Sequence, residues 1–207
     1  MVGYFACAQQ TGQVVLSFAR LLRMIQQHFF ESQELPATFQ CQILSFMRAE
    51  WPEDFQGKNR LRNWIKRSEM HPVHFILEEE DILISHVAVV WKLLLHAGQG
   101  YNAYGFTEVF TYPAWRRQGY GLQLIQSAKE YIEQQGDADL IIFHSSVRGF
   151  YEHVGFEPMN DMVTLVGDLH NPRRSNEIGF MRFVSEKGKQ GRKQFEKGTL
   201  YFGDETW

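Results

Sequence analysis

The sequence predicts an α/β protein of the α+β kind, a mixed and mostly antiparallel sheet flanked by helices. Three observations carry that expectation. Two β-rich runs, 73–79 and 82–96, lie around a Glu-Glu-Asp turn, the pattern of an antiparallel hairpin. A third such run, 104–112, leads through a glycine-containing turn into a stretch of helical periodicity, 122–135. After a second strand-and-helix pair, the runs 162–166 and 178–184 read as closing strands. At 207 residues and 44% apolar content the chain can fill one substantial core.

The elements follow in order. Of the first thirty residues, 14–20 and 22–30 each fit a strand or a short helix, and a strand is preferred in the second. Pro36 starts a helix through Cys41, Ile43, Leu44, Met47 and Trp51, and Pro52 stops it. Residues 53–57 read as a loop, and 59–67 as a short helix with Leu61, Trp64 and Ile65 on one face. The hairpin and the strand 104–112 come next, joined by a turn over 97–101 that carries two glycines. In the following helix Leu122, Ile125, Ala128 and Ile132 recur at the spacing that faces a sheet. Residues 140–144 form a strand and 150–154 a short helix. Residues 1–184 are expected to be one domain, and 185–207 a tail, basic and then acidic.

Charge and cysteine usage exclude several classes. A net charge of −3 provides no field for nucleic acid, and the basic cluster Lys187, Lys189, Arg192, Lys193 and Lys197 is local. Cys7 and Cys41 are too few and too distant for a disulfide framework or a zinc site, which fits a reducing cytoplasm. The eight histidines are scattered and none forms a His-x-x-x-His pair with a carboxylate between, so no metal is expected. No apolar run approaches a membrane span. Polar residues interrupt the apolar N-terminus before a signal-peptide core forms, so secretion is not expected.

The most informative segment is Arg116-Arg117-Gln118-Gly119-Tyr120-Gly121, between strand and helix. Glycines let the backbone curl closely around a ligand. The unpaired N–H groups of a helix's first turn then face an anion, favoured by the helix dipole. Two arginines add charge suited to phosphate. A P-loop pattern is absent. A dinucleotide fingerprint fails because Leu124 stands where a third small residue is needed, which disfavours a Rossmann oxidoreductase.

This turn sits in Thr111-Tyr112-Pro113-Ala114-Trp115-Arg116-Arg117-Gln118-Gly119-Tyr120-Gly121. Downstream, Leu140-Ile141-Ile142-Phe143-His144 precedes Phe150-Tyr151-Glu152-His153-Val154-Gly155-Phe156-Glu157-Pro158. The two patterns, in this order and at this separation, resemble the GNAT superfamily of acetyl-CoA-dependent N-acetyltransferases. The resemblance implies a sheet splayed between its fourth and fifth strands, with acetyl-CoA as cosubstrate. Coenzyme phosphates would lie on the N–H groups of Arg117, Gln118, Gly119, Tyr120, Gly121 and Leu122, beside Arg116. The backbone of Val109, Phe110 and Thr111 would pair with the pantetheine amides.

Acetyl transfer to an amine needs a proton acceptor for the attacking nitrogen and a donor for the departing thiolate. The resemblance implies Glu108 as base, through a water, and Tyr151 as acid. The alternatives are a solvent-facing or ion-paired Glu108 and a core-packed Tyr151. Strand alternation groups Glu108 with Phe110 and Tyr112, although a bulge would alter the face. His144 and Ser145 stand where they would orient the amine or a water. The strand 85–91, with His86-Val87-Ala88-Val89, and the ending Gly203-Asp204-Glu205-Thr206-Trp207 resemble aminoglycoside 2′-acetyltransferases more weakly. There Asp204 and Trp207 would reach a cationic acceptor, the tail folding over its site. The implied activity is direct acetyl transfer to a small primary amine in a ternary complex. An acyl-CoA-binding sensor and a protein N-terminal or lysine acetyltransferase are the alternatives. Dimers are frequent in the superfamily, so a homodimer is compatible, but no interface signature is legible.

Overall fold

The computed structural model describes residues 24–147, 149–203 and 207. Ten strands and three α-helices follow one another among them. These are β1 (Gln26–Glu31), α1 (Ala37–Glu50), β2 (Val73–Glu79), β3 (Ile82–His96), β4 (Gln99–Thr111) and α2 (Tyr120–Gln135). After these come β5 (Leu140–Ser145), β6 (Glu157–Pro158), β7 (Met162–Val166), β8 (Arg173–Arg174), β9 (Ile178–Phe183), α3 (Glu186–Gly191) and β10 (Gly198–Gly203). The larger sheet has the order β1-β2-β3-β4-β5-β9-β6, and a three-stranded sheet the order β10-β7-β8. In the larger sheet only β4 and β5 pair in parallel. The predicted α+β class therefore holds.

Two tight turns build the central meander. Glu80 and Asp81 both have positive φ between β2 and β3, as do Ala97 and Gly98 between β3 and β4. Successive left-handed residues match the twist of the paired strands. Strand parity then sets three cores. Phe75, Leu77, Val87, Val89, Phe106, Ile141 and Phe143 pack under α2. On the opposite face α1 covers Ile76, Leu83 and Phe110. Farther along that face, Val90, Leu94, Ala103 and Ile142 meet Phe195, Leu200, Phe202 and Trp207 from the end of the chain.

The splay is explicit. β4 and β5 pair only at Ala103↔Leu140 and Tyr104↔Ile141, although β4 runs on to Thr111 and β5 to Ser145. β4 also carries a bulge. His86 opposes Phe110 and Ala88 opposes Thr107, so Val87 alone faces Glu108 and Val109. The extra residue reverses strand parity. Phe106 lies in the α2 core, whereas Phe110 lies against α1, stacked on Phe46 at 4.0 Å.

Three expectations need correction. Residues 59–67 are not a helix. The side chain of Arg62 bonds the carbonyls of Trp64 (2.8 Å) and Ile65, and Gln40 takes that of Asn63 (2.8 Å), so side chains hold groups that a helix would pair internally. The α2 stripe is Leu124, Ile125, Ala128 and Ile132, with Leu122 43% exposed in the first turn. Residues 186–203, read as tail, form α3 and β10. Ser185 caps α3 at Gly188 N–H (3.0 Å), and Lys187 and Ser185 both bond Asp139 at 2.7 Å. The strand preferred within 22–30 is β1, beginning at Gln26 and paired antiparallel with β2. The 14–20 reading lies outside the described residues.

Candidate active site

The glycine turn is built from main chain. Pro113–Trp115 makes one 3₁₀ turn, Arg117 (φ 63) and Gly119 (φ 87) are left-handed, and α2 starts at Tyr120. Alternating left-handed residues turn successive N–H groups into one concavity. Gly119 is the N-cap of α2 and no side chain caps the helix, which leaves first-turn donors available for an anion. Gly121 lies against the end of β4 and the turn after β5 alike: a Cβ there would be 3.3 Å from Thr111 Oγ1 and 3.6 Å from Phe150 Cζ. Arg117 and Gln118 are exposed, and Gln118 donates to Ala114 O at 3.3 Å. Arg116 turns back instead: its Nε donates to Thr111 O at 2.9 Å and its guanidinium is 3.7 Å from Glu50.

From this turn the splay runs along β4. Past Tyr104, the β5-facing edge of β4 has no ladder partner among the described residues, and that edge includes the stretch holding Val109, Phe110 and Thr111. Unpaired edge amides beside an anion cradle fit an extended ligand with amides at one end and phosphates at the other.

Glu108 sits in the bulge with φ 52. Its carboxylate is 3.4 Å from Arg62 and 3.6 Å from Lys66, and all three side chains are less than a tenth exposed. Burial raises its pKa, against the pull of Lys66 and Arg62. Its carbonyl anchors a buried chain. His86 Nδ1 lies 2.7 Å from Glu108 O, His86 Nε2 3.0 Å from His74 Nδ1, and His74 Nε2 3.0 Å from Ser32 Oγ. A carbonyl only accepts, so His86 Nδ1 carries hydrogen. His74 then donates to His86, and Ser32 to His74. Burial keeps both imidazoles neutral, with His74 lowered to about 4 and His86 well below its ordinary value.

Tyr151 is packed under α2, edge-on to Phe143 with ring centroids 4.6 Å apart. Burial pushes its pKa up to about 12, opposed by a hydrogen bond from Ser145, so it is a phenol at neutral pH. The Ser145 hydroxyl also accepts from Val147 N at 3.1 Å. His144 is buried, with Nε2 3.1 Å from Thr164 Oγ1 and Nδ1 buried without a partner among the described residues. Burial and nearby Lys92 lower its pKa to about 4. Its N–H donates to Trp207 O at 2.6 Å. Asp204 lies outside the described residues.

The structure thus joins Thr111, Gly121 and Phe150 at the turn, Ser145 at the end of β5 with Tyr151 beyond it, and His144 with Trp207 in the wedge. Glu108 stands apart, gripped from the loop after α1. Sequence reasoning missed Arg62, Lys66, His74 and His86. For Arg62 and Lys66, which lie in a segment without helical structure, no local signal was available. For His74 and His86 the signal was their place in adjacent strands of one hairpin.

A family model described as an acetyltransferase (GNAT) domain matches residues 71–158. No curated protein matches the chain in sequence. The fold is similar to a crystal structure of an acyl-CoA N-acyltransferase from Pseudomonas aeruginosa, with TM-score 0.54 and 15% identity over 77% of this chain and 99% of that one. It is equally similar to Escherichia coli ElaA, with TM-score 0.54 and 15% identity over 76% and 99%. A GCN5-related N-acetyltransferase from Ralstonia eutropha JMP134 gives TM-score 0.52 and 13% identity over 67% and 96%. At such identities the likeness is one of fold.

Proposed function

We propose, from the match of residues 71–158 to an acetyltransferase (GNAT) domain, that this chain is a member of that superfamily and moves acetyl from acetyl-CoA to the primary amine of a small molecule, by direct attack in a ternary complex. One observation carries this reading: the uncapped glycine turn stands at the end of the same strand whose edge is left unpaired by the splay. Phosphates on the turn and pantetheine along residues 109–111 bring a thioester toward the wedge. The face opposite α2 is flanked by the loop after α1 on one side and by β10 with Trp207 on the other. A face bordered on both sides suits a small acceptor better than a protein segment. In the sequence, the acidic Asp204 three residues before Trp207 favours a cationic one. The two cysteines suit a reducing cytoplasm.

Glu108, its pKa raised by burial, accepts the amine proton through water as the nitrogen bonds to the carbonyl carbon. The carbon–sulfur bond breaks, and the phenol of Tyr151 supplies the proton that the thiolate takes up. His144, with one nitrogen held by Thr164, offers the other to the acceptor or its water.

The test is thiol release from acetyl-CoA across a panel of amines, aminoglycosides and polyamines included. Release matched mole for mole by an acetylated primary amine is expected. Tight acetyl-CoA binding with no release for any amine or peptide would point to a sensor instead, and acceptance of peptides alone to a protein acetyltransferase.

A further inference from the structure

The closed end of the wedge is filled by one side chain. Immediately beyond the last β4–β5 pair, Tyr104↔Ile141, come Gly105 and Ile142. A Cβ on Gly105 would fall 1.9 Å from Trp207 Cε3, 2.5 Å from its Cζ3 and 2.4 Å from Ile142 O. The indole therefore lies directly on the Gly105 backbone, in space that any other residue would occupy. Trp207 also takes the hydrogen-bonding position that β4 has vacated, its main-chain oxygen accepting from His144 N at 2.6 Å. The ring is 4% exposed and is backed by Phe202, edge-on at 5.0 Å, and by the Lys92 ammonium 4.5 Å from its centroid. Close packing on several sides makes it a rigid surface.

The proposed function sets the direction of approach. A donor whose phosphates lie at residues 117–122, and whose amides run along 109–111, carries its acyl group toward Gly105. We infer that Trp207, admitted by Gly105, is the floor of the acyl pocket and restricts the donor to acetyl. This gives Trp207 a role toward the donor, separate from any contact with the acceptor, and it rests on the acetyltransferase reading above. Extra methylenes would meet the indole, and overpacking a dense site is costly.

Equilibrium titration with acetyl-, butanoyl- and hexanoyl-CoA tests the inference without an acceptor. The wild-type protein is expected to bind butanoyl-CoA at least ~10-fold more weakly than acetyl-CoA, since one or two methylenes shift selectivity by about that much. Trp207→Ala should bring the two affinities within about threefold, and Trp207→Leu should fall between. If the alanine variant fails to fold, the leucine variant and the wild-type profile still decide. No length preference in the wild type, or an unchanged preference in a folded variant that still binds acetyl-CoA, overturns the inference alone. Failure of the wild type to bind any acyl-CoA removes the functional reading first.

Discussion

The two sides of the wedge are made of different material. The α2 side is main chain: left-handed Arg117 and Gly119, the uncapped first turn of α2 and an unpaired strand edge. The opposite side is assembled from side chains far apart in sequence. Glu108 meets Arg62 and Lys66, His74 meets His86 and Ser32, and Trp207 lies on Gly105. A backbone device binds what all coenzyme A thioesters share, whereas a side-chain device can be tuned to one acceptor and one acyl group. The contrast predicts that donor affinity and turnover respond to different substitutions.

The largest effect should come from Glu108→Gln. It removes the anion from two buried cations, a loss of about 3 kcal/mol in the range for breaking buried pairs. Turnover should fall ~100-fold for want of a base, with acetyl-CoA affinity nearly unchanged. Denaturant unfolding, single-turnover kinetics and titration separate the three. A folded variant with full turnover would break the contrast, since the side-chain half would then have no chemistry. Because burial raises the Glu108 pKa, the carboxyl keeps its proton to a higher pH than in the unfolded chain. The turnover rate of the wild type should therefore rise with pH through that elevated value.

Gly119→Val acts on the other half. A β-branched residue forced to φ 87 strains the turn by about 2 kcal/mol, or ~30-fold in coenzyme affinity, with turnover at saturation preserved. Loss of turnover with affinity intact would invert the comparison.

Acid should act on the side-chain half alone. His74 and His86 are neutral in the fold, with pKa values below that of a free imidazole, so the unfolded chain binds protons first as pH falls. Their contribution to stability is complete above about pH 6.5 and is lost progressively toward pH 4. Unfolding free energies measured across that window should decline, and the slope should be shallower in His86→Asn. An identical slope would detach the histidines from the effect.

Arg116→Ala should be the smallest, a rise of ~3-fold in the Michaelis constant for acetyl-CoA, as for an exposed charge. Its guanidinium is engaged with Thr111 O and Glu50, so a much larger rise would mean that it swings onto the phosphates.

Legibility in the sequence follows the same division. Glycines, a following helix and alternating strands are local, so the turn, the hairpin and the segments flanking the splay could be read from residue order. The bulge could not, because two residues facing one is a property of a strand pair. Leu61, Trp64 and Ile65 had helical spacing, yet the Arg62 side chain captures the carbonyls of Trp64 and Ile65. A pattern of apolar positions does not record such a competitor. The final segment read as a tail with a local basic cluster, but Asp139 and Glu157 receive Lys187 and Arg192 from 48 and 35 positions away. Long-range charge partners leave no periodic trace.

The single surplus residue near Glu108 makes β4 two surfaces in succession, one that feeds Phe106 to α2 and one that feeds Phe110 to α1. Shortening the chain by one amino acid between Thr107 and Val109 would rotate everything after it by half a pleat. Phe110 would leave its place on Phe46, and Thr111 its hydrogen bond to Ser85. At this spot the fold, as distinct from the chemistry of Glu108, fixes the count of residues more tightly than their identity.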